Sequence, residues 1–380
     1  IPFCKSLCSF CEYTKFLNND SEQQQKYITL LKKQIENFTN THKIEELYGL
    51  DIGGGTPTSL SDECLEELMD FISNLEKRYI KIHDYEKSIE INFNTISDRK
   101  LEAIKNAGFK RVSAGLQIMN KQILSENNRD YASIKYILNM VDKIRERNIK
   151  KINLDLMYGL KNQTNDNILN TIAAIKLINP EQVTLYEMRY NIVGGKTENI
   201  TRELVYSQYS QLYSSLIDLG YKGRFGSNTF SKFDDLGLSS YLKYRMVDCI
   251  PYKGFGISAQ SMSLSGISYN IGKNKKDFNS IIENNNIFEE DVYKLPKEEI
   301  LSKYIAVSLY GGCFKIDVMN KILNCNALEY FKNEFDFLLG NDYIYIEDNI
   351  CYLTQNGFKY YGAIVSLFYS QSHKKYLLEN

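Results

Sequence analysis

Apolar or β-branched runs recur through the first half of the chain, with amphipathic stretches between them. The runs YGLDIGG (48–54), SIEINF (88–93), RVSAGLQ (111–117), KINLDLM (151–157) and QVTLYEM (182–188) read as buried strands. Helical periodicity covers 21–38, 61–79, 97–107, 131–147, 165–178 and 202–219. Such alternation implies an α/β fold, a parallel sheet with helical crossovers. Five strands, with a sixth expected upstream of Ile1, would make a six-strand partial barrel. The segments at 4–11, GGGTPT, NFN, GLQ and DLMYGL fall at or just after strand C-terminal ends, where barrel enzymes assemble their sites.

Periodicity weakens after Gly223 and turn residues accumulate through PYKGFGISAQSMS (251–263) and an Asn-rich segment at 284–286. From residue 295 the pattern is helical again, and DYIYIEDNICYLTQNGFKYYG (342–362) reads as a hairpin turning at Asp348-Asn349, followed by a helix. The expected organisation is a barrel over 1–222, a linker or substrate-covering segment over 223–290, and a small α+β, winged-helix-like domain over 291–380. A length of 380 residues suits one large core with a satellite.

Charge narrows the function classes. With 46 basic and 47 acidic residues the formal charge is -1, so the footprint of a dedicated nucleic-acid binder is missing. There is no apolar run of membrane-spanning length and no signal-peptide pattern, which gives the expectation of a soluble, cytoplasmic protein without a membrane partner. Of eight cysteines, three crowd one end while Cys64, Cys249, Cys313, Cys325 and Cys351 are scattered. That is no disulfide framework, and reduced thiols are expected.

The crowded cysteines, Cys4, Cys8 and Cys11, follow a CxxxCxxC spacing. A structural zinc site needs four ligands, and here there is no second close pair, while His42, His83 and His373 are isolated. A four-iron cluster takes one thiolate per iron, so three cysteines leave one iron open for a ligand. The plainer alternative is three buried, unliganded thiols. GGGTPTSL (53–60) follows a strand; its glycines would let a backbone approach a ligand and offer N–H groups, or would simply make a tight turn. It is not a phosphate loop, since no Gly-Lys-Ser/Thr follows. Glu90 inside an apolar run is either a paired core charge or a hydroxyl-binding group. With Gln117, Arg129 and Asp155 it forms a polar ring at successive strand ends.

The order CxxxCxxC, GGGTPT, EINFN, RVSAGLQ, NNRD, NLDLMYGL and INPEQVTLYEM resembles the oxygen-independent coproporphyrinogen III oxidase family of radical S-adenosylmethionine proteins. The resemblance is most specific over 1–190 and extends to GFGISAQSMS and YLTQNG. It implies a partial (β/α)6 barrel of radical SAM type, in which Cys4, Cys8 and Cys11 ligate a [4Fe-4S] cluster whose open iron binds S-adenosylmethionine. Phe10 would contact that cofactor through its backbone and Gly54, Gly55 and Thr56 would cradle its methionine part. Glu90, Gln117, Arg129 and Asp155 match positions that hold the rest. A second cofactor molecule is held by some members, at positions matched loosely by 186–189 and 257–260, among them Arg189 and Gln260. Tyr186 and Glu187 are the nearest candidates for proton transfer.

The pattern also departs from the family. The oxidases carry a further cysteine two residues after the third, where this chain has Tyr13, following Glu12. Arg189 and Gln260 stand where small or apolar residues are expected. Haem-chaperone relatives carry His-Asn and Tyr-Trp before the glycine motif, whereas 239–256 contains neither His nor Trp. YKGRFGSNTFSK (221–232) reads either as a substrate loop over the barrel mouth, with Arg224 for an anionic group, or as a surface turn. Cys313, Cys325 and Cys351 suit core burial better than an auxiliary cluster. The reaction implied is reductive cleavage of S-adenosylmethionine to a 5'-deoxyadenosyl radical, with a methyltransferase-like use of a second molecule on an unsaturated small molecule or peptide. Porphyrinogen decarboxylation and porphyrin ring opening are the alternatives, and haem binding or trafficking without turnover is the reading from another class. An electron donor such as flavodoxin or ferredoxin is implied as partner.

Overall fold

The computed structural model describes residues 1–17, 20–194, 200–272, 274–287 and 289–379. Its main sheet has six strands, β1 (Leu50–Ile52), β2 (Lys87–Ile91), β3 (Arg111–Gln117), β4 (Lys151–Tyr158), β5 (Gln182–Glu187) and β6 (Thr229–Ser231), in the order β6-β5-β4-β3-β2-β1. The first five are parallel. β6 runs antiparallel to β5, pairing Thr229 with Thr184 and Ser231 with Gln182. The sixth strand of this sheet is therefore a short edge strand from the segment expected to be a linker.

Six helices follow the predicted periodicity, α1 (Ser21–Thr41), α2 (Asp62–Leu75), α3 (Asp98–Asn106), α4 (Ile134–Glu146), α5 (Asn165–Ile178) and α6 (Arg202–Asp218). Each starts at a residue whose side-chain oxygen accepts from an orphan backbone N–H of the first turn: Asp20, Ser61, Ser97, Ser133, Thr164 and Thr201. The Ser133 cap explains why α4 begins later than periodicity suggests.

The pleat sends alternate residues to opposite faces of the sheet. Ile89, Ile91, Val112, Ala114, Leu116, Ile152, Leu154, Leu156, Val183 and Leu185 belong to the main core. The alternate positions are Ser88, Glu90, Arg111, Ser113, Asn153, Asp155, Gln182, Thr184 and Tyr186, and the sheet's other face is accordingly polar. Hydrogen bonds link these side chains from strand to strand: Arg111 Nε donates to Gln182 Oε1 at 2.7 Å and Nη1 to Ser88 Oγ at 2.8 Å. Asn153 Nδ2 donates to Ser113 Oγ at 2.9 Å and to Asp155 Oδ1 at 2.8 Å, and Thr184 Oγ1 donates to Asn153 Oδ1 at 3.1 Å. Buried polar groups survive when paired in this way.

Residues 223–290 fold as part of the body. They supply β6, a helix at Ser240–Met246 and two strands of a three-stranded antiparallel sheet, Gln260–Ser263 and Gly266–Asn270, completed by Glu289–Lys294. Phe230, Ile257, Ile271, Phe278 and Ile281 join the main core. A second core gathers Ile300, Tyr304, Phe314, Met319, Phe335, Ile344, Cys351 and Phe368 around the sheet formed by Cys313–Lys315, Ile350–Leu353 and Ile344–Glu347. The hairpin turns at Asp348 and Asn349, both left-handed with φ 49° and 60°, as a two-residue turn matching strand twist requires.

The 221–232 segment does not lie over the mouth as a substrate loop. Arg224 stacks 3.7 Å from the Tyr352 ring centre and bonds the Tyr345 hydroxyl, while Phe225 packs on Tyr209, Tyr213 and Phe358. It brackets the C-terminal hairpin to the barrel. All eight cysteines are free; Cys313 and Cys351 are buried on adjacent strands and Cys325 is exposed. No helix among the described residues is long and apolar enough to cross a membrane.

Candidate active site at the barrel mouth

The cysteine loop is fixed at both ends. Phe3–Cys4 pairs in parallel with Phe16–Leu17, and the glycine loop after β1 docks on the same strand through Gly55 N–H to Ile1 O at 2.8 Å and Thr56 N–H to Phe3 O at 2.8 Å. Gly54 N–H donates to Glu90 Oε2 at 3.1 Å. These N–H groups are thus already used, contrary to the expectation that they stand open for a ligand. What glycine provides is proximity: a Cβ on Gly55 would lie 2.8 Å from Phe3 O and 3.0 Å from Cys4 Sγ, and one on Gly53 would lie 2.7 Å from Glu90 Oε1. Gly54, at φ +118°, takes a conformation that other residues rarely adopt.

Cys4 and Cys8 are buried and Cys11 half-buried. Between them, Ser9 bonds Asn127 through backbone (3.1 Å) and side chain (2.8 Å), and Phe10 sits against a small apolar cluster of Ile118, Ile123, Leu124, Met157, Leu160 and Met188. The ring anchors the loop on that cluster. Arg129 reaches in from outside, Nη1 4.0 Å from Cys8 Sγ and Nη2 donating to Gly115 O at 2.7 Å. Burial raises the Cys4 thiol above its ordinary value; Thr56 Oγ1, 3.6 Å away, and Arg129 pull it back.

Facing the cysteines is the polar side of the sheet. Burial, then Asp155, pushes Glu90 up to about 7. Asp155 is raised to about 6 by burial, against the pull of Arg111, Ser113 and Asn153. Glu90 and Tyr186 are reached by water, yet protein surrounds both: they line a deep, wet lumen. Tyr13, from the cysteine loop, is exposed to water yet has protein around it, and its hydroxyl is raised to about 12, first by that enclosure and then by Glu90. Gln117 ends β3 with φ 62° after a register shift at Gly115. A Cβ on Gly115 would meet Gln117 Nε2 and, at 2.8 Å, Arg129 Nη2. Beside it opens a small cleft, of about 20 Å³, lined by Asn92, Asn94, Gly115, Arg129 and Tyr131.

The remaining candidates divide. Tyr186 faces the lumen, near Asp155, Tyr13 and Glu90, and burial holds its hydroxyl well above the ordinary range. Glu187, one residue on, pairs with Arg202 Nη1 at 3.4 Å at the start of α6. Arg189 pairs with Glu12 at 2.5 Å. Gln260 donates to Tyr269 Oη at 2.6 Å and accepts from Tyr252 Oη and, at 3.3 Å, Arg245 Nη2. Sequence reasoning missed Asp51, Tyr241, Arg245 and Tyr252. Asp51 carried a signal, a carboxylate inside an apolar strand; burial raises it to about 6 and Ser239 Oγ donates to its Oδ2 at 2.6 Å.

The donor set fits an iron-sulfur cluster. Among the described residues no three His, Cys, Asp or Glu side chains are grouped to hold one metal ion, whereas the three free cysteines share one loop and interact electrostatically. A four-iron cluster takes one thiolate per iron, and the three free cysteines of this loop supply three of the four. The glycine cradle and the Glu90–Asp155 lumen fit a polar organic cofactor beside it.

Residues 1–175 match the family model described as the radical SAM superfamily. The chain is 32% identical over 197 residues to a protein named heme chaperone HemW from Bacillus subtilis, an alignment covering 52% of this chain and 50% of that one. It is 24% identical over 376 residues to the HemW of Buchnera aphidicola, covering 97% and 96%. With the oxygen-independent coproporphyrinogen III oxidase of Helicobacter pylori it shares 26% over 359 residues, covering 89% and 77%. The solved structure of coproporphyrinogen III oxidase (HemN) from Escherichia coli superposes with a TM-score of 0.79 at 21% identity over 97% of this chain and 88% of that one, a likeness of fold.

Proposed function

We propose that the chain, whose residues 1–175 match the radical SAM superfamily and which is similar to HemW and coproporphyrinogen III oxidase proteins over most of its length, is an enzyme acting with one S-adenosylmethionine on a small molecule held in the barrel lumen. When bound, the cluster and cofactor supply reductive cleavage of the sulfonium bond and a 5'-deoxyadenosyl radical for hydrogen abstraction. The chain's residues do the rest. Cys4, Cys8 and Cys11 are the thiolate donors. Glu90, held by Gly54 N–H, and Asp155, held by Ser113 and Asn153, would accept hydrogen bonds from hydroxyl or ammonium groups of the cofactor. Arg129 and Gln117 close the side of the cleft. Tyr186, raised by burial, stays protonated and donates from the lumen wall. The convergence of the cysteine loop on this polar lumen is the observation that carries the reading.

A second cofactor molecule is not part of the proposal. The Glu12–Arg189 pair and the Gln260–Tyr252–Tyr269–Arg245 network occupy the positions matched to it. The methyltransferase-like expectation finds no support in the names of the relatives either. A one-electron donor of flavodoxin or ferredoxin type and a cytoplasmic setting belong to the reading. Product analysis under anaerobic reduction tests it: 5'-deoxyadenosine and methionine in equal amounts, without S-adenosylhomocysteine, are expected. S-adenosylhomocysteine formed in step with product would contradict it.

The names of the haem-chaperone relatives favour a second reading, haem handling without turnover. His42 and His83 are exposed and His373 pairs with Glu299 at the C-terminal unit, so an axial histidine from this lumen is not on offer. Tight stoichiometric haem binding without cofactor cleavage would favour that reading over ours.

A further inference from the structure

Arg129 follows the short helix Lys121–Glu126 in a turn that is tied to the cysteine loop. Its backbone N–H donates to Leu124 O at 2.9 Å, and Asn127, two residues earlier, accepts from both the backbone and the side chain of Ser9, the residue after Cys8. The guanidinium is fixed again on the sheet: Nη2 donates to Gly115 O at 2.7 Å, and Nη1 reaches Cys8 Sγ at 4.0 Å. Gly115 makes room for it, since a Cβ there would lie 2.8 Å from Nη2. Two tethers of independent origin thus hold one cation against the sulfur of one cluster ligand.

The charge so placed is not spent elsewhere. Arg129 is half-buried and makes no ion pair among the described residues, and Cys8 is only 6% exposed. Lys15, the other cation tied to this loop, is directed to a carbonyl, Cys11 O at 2.6 Å, and not to a sulfur. A tie with a purely structural purpose would be complete at Gly115 O; the second arm of the fork goes on to a thiol that would hold iron. The potential of an iron-sulfur cluster follows its charge, the hydrogen bonds to its sulfurs and its exposure. An added electron makes the cluster more negative, so a cation about 4 Å from a ligand sulfur, partly withdrawn from water, stabilises the reduced state more than the oxidised one.

We infer that Arg129, placed by Gly115, raises the reduction potential of the cluster by acting on Cys8, and so brings one-electron reduction within reach of the donor. The inference rests on the cluster assignment and adds how this chain sets the cluster's electronics, a role separate from any contact with an organic cofactor. One electron passes from a donor of flavodoxin or ferredoxin type to the cluster. No proton moves with it, because the guanidinium stays charged in both states.

The test is a redox titration of the reconstituted full chain without S-adenosylmethionine, followed by electron paramagnetic resonance of the reduced cluster, with iron analysis of each sample. At a fixed potential Arg129→Gln should lower the ratio of reduced to oxidised cluster by about tenfold or more, a downward shift of the midpoint of about 59 mV for one electron. Arg129→Lys should recover part of the shift, since it restores the charge without the fork. Gly115→Ala keeps every charge and thiol and displaces the guanidinium together with the Gln117 amide; it should shift the midpoint in the same direction, and it decides the matter where Arg129→Gln loads less iron. Arg99→Gln, which removes a cation paired with Glu63 and Glu66 on the outer helices, should leave the midpoint unchanged. A midpoint unmoved in Arg129→Gln and Gly115→Ala, one that rises, or one that falls equally in Arg99→Gln overturns the inference. A wild type that takes up no iron overturns the cluster reading itself, and the iron analysis reports that failure separately.

Discussion

Arg189 Nη2 lies 2.5 Å from Glu12 Oε2, joining the cysteine loop to the end of β5 across 177 residues of sequence. Both residues stand where the chain departs from the oxidase pattern: Glu12 precedes Tyr13, which takes the place of the further cysteine, and Arg189 sits at a position matched to a second cofactor. The departures are spatially linked, so they belong to one remodelled side of the chamber.

That linkage predicts the cofactor stoichiometry. Equilibrium dialysis of the reconstituted protein should give one S-adenosylmethionine per chain. The pair is partly exposed and contributes about 0.2–1 kcal/mol to stability, so Arg189→Ala should fold and serve as a clean comparison. Two molecules per wild-type chain would reinstate the two-cofactor reading.

Close packing of the glycine loop on the cysteine strand gives a second prediction. Gly55→Ala pushes a methyl against Phe3 O and Cys4 Sγ, and overpacking of this kind costs about 1–3 kcal/mol. Iron retained after reconstitution should fall to less than half and the melting temperature should drop. A methyl added at Gly362, in the helix Tyr361–Leu367, would meet nothing within 4 Å, so Gly362→Ala should be neutral or stabilise by up to about 1 kcal/mol. Equal iron content in the two variants would refute the packing argument.

Much of this geometry was legible in the sequence, and the reasons for the rest are physical. The parallel strands and capped helices are long periodic segments, and their positions are set by local pattern. Asp348-Asn349 announces its hairpin through two residues tolerant of positive φ. β6, by contrast, is three residues, Thr229–Ser231, whose strand character comes from pairing with β5 and not from its own pattern. Arg224 in a glycine-flanked turn looks the same whether it meets a ligand or the Tyr352 ring. Val247 and Tyr304, 57 positions apart, meet only through the docking of two helices, which no local pattern encodes.

The Arg224 stack yields a third prediction. Arg224→Ala should lower stability by about 0.5–2 kcal/mol and make the C-terminal hairpin more susceptible to limited proteolysis. Its effect on the KM of the true substrate should be slight, because the side chain meets Tyr345 and Tyr352 rather than the lumen. A large rise in KM without loss of stability would return the 221–232 segment to the role of substrate loop.

Asp155 sets a pH dependence in the cofactor-free protein. Its folded value of about 6 is above the unfolded 3.8, so the folded state holds the proton more tightly between the two. The associated stability is present below 3.8 and lost as pH rises through about 6. Asp155→Asn removes this term: denaturant unfolding should show the variant gaining on wild type from pH 4 to pH 7.5, by no more than about 3 kcal/mol. A difference that is flat, or that moves the other way, would contradict the burial argument.

The most direct test of the account is anaerobic reconstitution with iron and sulfide of the wild type and of a Cys4→Ala/Cys8→Ala/Cys11→Ala variant, with metal analysis and reductive cleavage of S-adenosylmethionine read on both. The account predicts about four irons per wild-type chain, 5'-deoxyadenosine and methionine on reduction, and loss of both iron and products in the variant. Zinc in place of iron, or iron content unaffected by removal of the three thiols, would contradict it.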